Sequence, residues 1–197
     1  LVMNRLLLGF VALVMVAAPV LGAAETYTID PVHSSVDFTV RYMMLSNVRG
    51  SFNTFEGTIV YDPEDITKSS VNVTIKVASI DTANEKRDEH LRNPDFFDAA
   101  TYPDITFKSA QVVRKGDGYV ATGKLTMRGV AKTVNIPFEI LGKMKDMQGK
   151  TRLGVQGRVK LNRMDYGVSW SRALDAGGVV VGEEVTVDLD IQGVQVK

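Results

Sequence analysis

Apolar and polar residues alternate along most of this chain. Val36, Phe38, Val40 and Tyr42 interleave with Ser35, Asp37, Thr39 and Arg41. Val71, Val73, Ile75 and Val77 interleave with Asn72, Thr74 and Lys76, and Val185, Val187, Leu189 and Ile191 with Thr186, Asp188, Asp190 and Gln192. A period of two puts one set on each face of a β-strand. The same pattern predicts strands over 26–30, 52–61, 105–108, 119–127, 134–138 and 153–161, the last carrying Leu153, Val155, Gly157, Val159 and Leu161. Breaks fall at Val48-Arg49-Gly50, at Asp62-Pro63, at the hairpin signal Lys115-Gly116-Asp117-Gly118, at Arg128-Gly129 and at the polar loop Lys143 to Lys150. Gly57 inside a strand predicts a bulge or bend, and Pro137 predicts an edge or a bulge.

One stretch departs from this pattern. Ser79 to Tyr102 reads as helix: Thr82 followed by Glu85 has the form of a capping box, and Asn93-Pro94 ends the helix and starts a second short one that carries Phe96 and Phe97. Arg163 to Gly178 is irregular and holds the single Trp170. The total is about eight strands joined mostly by tight turns, an all-β antiparallel sandwich or barrel with one short helical segment between strands. A barrel of about eight strands has room for side chains or one small ligand. The inward set is Val, Phe, Ile, Leu and Tyr, so such a cavity would be apolar and would suit an apolar ligand.

Composition removes several classes. Basic and acidic residues balance at 23 each, so no field draws nucleic acid. There is no cysteine, which excludes a disulfide framework and a thiol nucleophile. His33 and His90 are the two histidines and stand far apart, so no zinc motif is present, and there is no nucleophile elbow, P-loop or dinucleotide fingerprint. Ser34 beside His33 reads as a turn hydrogen bond at a strand entry. The chain is therefore expected not to be an enzyme and to carry no cofactor.

Asn4-Arg5, the apolar run Leu6 to Leu21 and the small residues Gly22-Ala23-Ala24 form a secretory signal peptide over 1–24, with a single domain over 25–197. The run is short of the roughly 20 residues that span a bilayer. Leu1 and Val2 precede Met3, the expected start. Arg5 stands alone, so the general secretory route is the expected one.

Several segments together resemble the YceI-like family of bacterial periplasmic proteins. They are Ile29-Asp30-Pro31-Val32-His33-Ser34, Val48-Arg49-Gly50-Ser51-Phe52, Ser79-Ile80-Asp81-Thr82, Arg87-Asp88-Glu89-His90-Leu91, Asp95-Phe96-Phe97-Asp98, Tyr102-Pro103, Gly123 to Val130 and Asn162 to Gly167. The resemblance spans the chain after the signal segment. It implies a lipocalin-like antiparallel barrel, open at one end, in the periplasm. It also implies a carrier of an isoprenoid lipid, with a polyprenyl phosphate or quinone tail held in the apolar interior. Family members often carry His where this chain has Tyr42.

Burying about 0.8 kcal/mol per CH₂ would let a few isoprene units supply the roughly 12 kcal/mol of a nanomolar complex. On this resemblance the expected lining includes Phe38, Val40, Tyr42, Phe52, Phe55, Val73, Ile75, Phe97, Phe107 and Trp170. Arg87 and His90, with Arg49 outlying, are expected to meet the head group. Transient contact with the inner membrane is a further expectation. A homodimer could shield a long chain, though no stretch shows one. The competing expectation is a solid-core structural or stress-response module with no lipid.

Overall fold

The computed structural model describes residues 24–175 and 177–196. The expected signal segment lies outside the described residues but for Ala24. The alternating stretches form strands β1 (Glu25–Ile29), β2 (Ser35–Tyr42), β3 (Ser46–Phe52), β4 (Phe55–Tyr61), β5 (Ser70–Lys76), β6 (Ile80–Asp81), β7 (Asp104–Lys115), β8 (Gly118–Met127), β9 (Val130–Lys145), β10 (Thr151–Asn162) and β11 (Val181–Gln195). One helix, α1 (Glu85–Arg92), lies between β6 and β7.

Eight strands close into an antiparallel barrel in the order β1-β4-β5-β7-β8-β9-β10-β11, with β11 returning to β1. Closure is short: Tyr27↔Gln195, Thr28↔Val194 and Ile29↔Gly193. Nearer its start β11 pairs with β2 instead, from Val181↔Tyr42 to Asp190↔Ser35, and β2 leads on to β3 and β6. This branch widens the wall at the end where α1 sits, which we call the helical end.

An aromatic plug fills the helical end. Phe52 stands between Phe38 (ring centroids 5.6 Å apart) and Phe97 (5.9 Å, edge-on). His90, Phe96 and Trp170 form a second group at 5.0–5.3 Å. Val77, Ile80, Tyr166 and Val168 pack beneath them, each no more than 2 % exposed. Arg163 ties the plug down. Its buried guanidinium donates to the carbonyls of Gly182, Val168 and Val181, and burial lowers its pKa.

The structure corrects several local expectations. Asn84, not Thr82, caps α1, accepting from Arg87 N at 3.0 Å, because the Thr82 hydroxyl is engaged by the buried Asp88 carboxylate. The stretch after Asn93 forms turns rather than a second helix, with Phe96 N and Asp98 N both donating to Asn93 O. Val48-Arg49-Gly50 lies inside β3, and the turn falls earlier, at Met43 and Met44. The β4–β5 ladder runs through Gly57 without a register shift. A Cβ at that position would sit 2.4 Å from the Asn72 carbonyl oxygen, so Gly57 serves close packing, not a bulge. The Lys143–Lys150 loop shrinks because β9 runs on to Lys145. The turn expected at His33-Ser34 forms, with His33 N donating to Asp30 O at 3.2 Å, while Ser34 Oγ accepts from Gln192 N of β11 at 2.9 Å.

Asp30 fastens the exit of β1 to β10, across the intervening β11. Its carboxylate accepts from Arg152 at 2.7 Å and lies 2.8 Å from His33 Nδ1. The Arg152 bond, then the His33 one, holds its pKa down at about 2. A depressed carboxylate contributes stability that is full above the unfolded value near 4 and is lost as pH falls through the folded value. Asp30→Asn is expected to cost about 1–3 kcal/mol at neutral pH. The gap between variant and wild type should close between about pH 4 and pH 2, read from urea midpoints across pH. A gap that persists unchanged at pH 2 would rule this out.

Candidate functional site: an apolar cavity inside the barrel

Below the plug the inward side chains do not meet. They leave a cavity of about 170 Å³. Its wall is apolar and mostly aliphatic: Ile29 from β1, Ile59 from β4, Val71, Val73 and Ile75 from β5, and Val112 and Phe107 from β7. Ala121 and Leu125 come from β8, Val134, Ile136 and Phe138 from β9, Val155, Val159 and Leu161 from β10, and Val187, Leu189 and Ile191 from β11. The only polar side chains on this wall are Tyr61, Ser69 and Ser70, which gather at the end opposite the plug.

That far end is covered as well. Ile66, in the 3-10 turn Ile66–Lys68 capped by Asp65, reaches the cavity. Beyond it Lys143 Nζ donates to both Glu25 oxygens at 2.8 and 2.9 Å, and the Tyr27 hydroxyl donates to Glu25 at 2.5 Å. Burial pushes Glu25 up, but the Lys143 and Tyr27 bonds together hold it below the usual carboxylate range. Burial, with the neighbouring Tyr119, raises the Tyr61 hydroxyl above the ordinary phenol value. Glu25 and Lys143 neutralise each other at this end.

The wall itself is interrupted. β9 and β10 pair from Thr151↔Lys145 to Gly157↔Phe138 and no further. Past that point β9 stays bonded to β8 as far as Val130, and β10 to β11 as far as Asn162. Pro137 stands where the ladder stops and has no N–H to donate. The result is a slot toward the helical end. Val134 and Ile136 form one lip and Val159 and Leu161 the other, and all four also line the cavity. A cleft on the outer surface, lined by Pro137, Glu139, Gln156 and Arg158, shares Phe138, Gly157 and Leu189 with the cavity wall. At the top of the slot Lys132 reaches Asp165 at 3.5 Å.

Of the residues expected to line the interior, the structure brings Val73, Ile75 and Phe107 to the cavity. Phe38, Phe52, Phe97 and Trp170 sit in the plug, where Phe55 is also buried. Val40 faces Val48 and Val185 within the branch, and Tyr42 is 39 % exposed at the β2–β3 tip. Arg87 lies behind the plug and is held by Thr82: Nε donates to Oγ1 and Nη2 to the carbonyl, both at 2.7 Å. His90 lies 3.1 Å from Asp95, and Arg49 is on β3 opposite Thr39. The aliphatic residues of β9, β10 and β11 were missed as lining, although their alternation was visible.

The barrel has known counterparts. The model of the YceI-like domain matches residues 27–193. The chain belongs to the YceI-like family. A YceI-like relative, a UPF0312 protein of Vibrio cholerae serotype O1, is 34 % identical over 98 % of this chain and 100 % of its own. Another, from Vibrio parahaemolyticus, is 36 % identical over 92 % of this chain and 94 % of its own. Among solved structures, Burkholderia cenocepacia BcnA superposes with a TM-score of 0.74 at 27 % identity, covering 83 % of this chain and 98 % of that one. The Campylobacter jejuni YceI protein gives 0.68 at 29 % identity, with 80 % and 90 % covered. A polyisoprenoid binding domain from Saccharophagus degradans gives 0.62 at 17 % identity, covering 86 % and 98 %, a likeness of fold.

Proposed function

We propose that this YceI-like protein is a periplasmic binding and carrier protein for an isoprenoid lipid, a polyprenyl phosphate or a prenylated quinone, whose tail lies in the barrel cavity. The observation that carries the reading is the apolar, mostly aliphatic cavity wall, with Val73, Ile75 and Phe107 among the contacts. A wall of this kind selects for hydrocarbon and is indifferent to its sequence of groups, so affinity grows with buried chain length. No helix among the described residues is long and apolar enough to cross a membrane, as suits a carrier that moves between surfaces. The slot between β9 and β10 is the route by which the tail enters, since both barrel ends are covered by side chains.

The experiment is native mass spectrometry of protein purified from its own host, followed by titration with a prenylated quinone. A co-purifying prenyl lipid, or saturable uptake of the quinone, is the expected result. Protein that emerges empty and also ignores the quinone would leave the cavity without this role.

A further inference from the structure

We propose that the tip of the β2–β3 hairpin is a membrane-docking finger that seats the helical end of the barrel on an anionic lipid bilayer. Four consecutive residues at this tip are apolar or aromatic and exposed: Tyr42 and Met43 at 39 %, Met44 at 53 % and Leu45 at 80 %. A run of this kind in contact with water is unfavourable, and it marks a surface that meets another phase.

The backbone gives a second, independent sign. Met43 and Met44 both sit in the left-handed region, at φ 49° and 61°, and Leu45 N donates to Tyr42 O at 3.0 Å. Hairpin turns with two such residues ordinarily use Asn-Gly, which adopts this conformation with little strain. Here two long flexible apolar side chains occupy the strained positions, so the sequence favours what the tip presents over how easily it folds.

The charge around the tip fits an anionic surface. Arg41 and Arg49 share the outer face of the hairpin, as the register Arg41↔Asn47 and Thr39↔Arg49 requires. Arg172 lies on the adjoining strand-like segment, where Val180 links Arg172 to Met43 through backbone hydrogen bonds. Among the described residues none of these three arginines has a carboxylate within ion-pair distance. On the elements packed beside them, Glu184 is held by Lys160 and Asp188 by Arg158; Glu183 and Asp175 are the carboxylates nearest the tip, while Asp37, Asp81 and Asp190 stand farther along β2, β6 and β11.

The β9–β10 tip also exposes methionines, Met144 at 72 % and Met147 at 99 %. Its turn, however, uses Gly149 at the left-handed position, and its Lys143 is engaged by Glu25. The β2–β3 finger is also at the same end of the barrel as the slot, so docking there brings the slot close to the lipid. The proposal rests on the carrier reading for its purpose alone, because docking is measured without cargo and cargo binding without vesicles.

The test is flotation with phosphatidylethanolamine vesicles containing a minority of phosphatidylglycerol. Met43→Asn/Met44→Gly relieves the turn, so it should raise the thermal midpoint while weakening vesicle binding by about tenfold or more. Arg49→Gln should weaken it about fivefold, and added salt should do the same to the wild type. Met144→Ser/Met147→Ser should bind as wild type. Wild-type protein that fails to float with the vesicles, a finger variant that binds undiminished, or loss of binding in the Met144/Met147 variant instead would each overturn the proposal.

Discussion

Ala121→Leu is expected to lower affinity for a prenyl chain about fiftyfold without destabilising the fold. Ala121 sits on β8 between Val112 and Ile136, is 4 % exposed, and faces the cavity. Leucine adds three carbons there. If the space is a binding site, those carbons take the place of about three carbons of ligand, or roughly 2.4 kcal/mol at about 0.8 kcal/mol each. The same carbons fill a void, so stability should hold or rise. A solid-core module predicts the opposite sign: forcing three carbons into a packed interior would cost about 1–3 kcal/mol. Paired measurement of the urea midpoint and of quinone affinity therefore separates the two accounts. A lower midpoint with unchanged affinity would refute the cavity as the site.

Closing the slot should change how fast the tail enters and leave how tightly it is held alone. Continuing the β9–β10 register past Gly157↔Phe138 would set Asn135 opposite Lys160, both exposed on the outer face. The chain has no cysteine, so Asn135→Cys/Lys160→Cys introduces its only thiols. A disulfide between them holds the strands within about 6 Å and seals the lips. With the lips sealed, uptake must wait for a larger opening of the wall that costs several kcal/mol, so loading should slow about a hundredfold. Reduction should restore the rate. Stopped-flow uptake of a fluorescent prenyl probe reads this directly, and identical traces before and after reduction would remove the slot as the route.

Much of the architecture was legible in the sequence, for a simple reason. Period-two alternation is a local property, and β5, β8, β10 and β11 show it plainly. What alternation cannot reveal is partnership. Ring closure joins Tyr27 to Gln195, and no periodicity reports which distant edges meet. β3 was hidden because its turn is made of Met43 and Met44, which carry none of the usual turn chemistry. The lining was read from inward alternation, which does not say where the interior is solid and where it is hollow. Phe52, Phe97 and Trp170 reach across the barrel and fill it, so they mark where it is solid. Valines and isoleucines on facing strands are too short to touch, and the hollow lies between them. Arg87 was legible as a cation on the helix, but not as the partner of Thr82, because that pairing depends on how α1 folds back onto β6.

Because the first strand is sealed against the last, the vessel has an order of construction. Until the 15-residue β11 exists, β1, β2 and β10 all present unpaired edges. A chain without β11 is an open sheet, vulnerable to joining other sheets, and the ring closes late through contacts distant in sequence. On the proposed carrier reading, a copy lacking its final strand would leave the cavity open and hold no lipid.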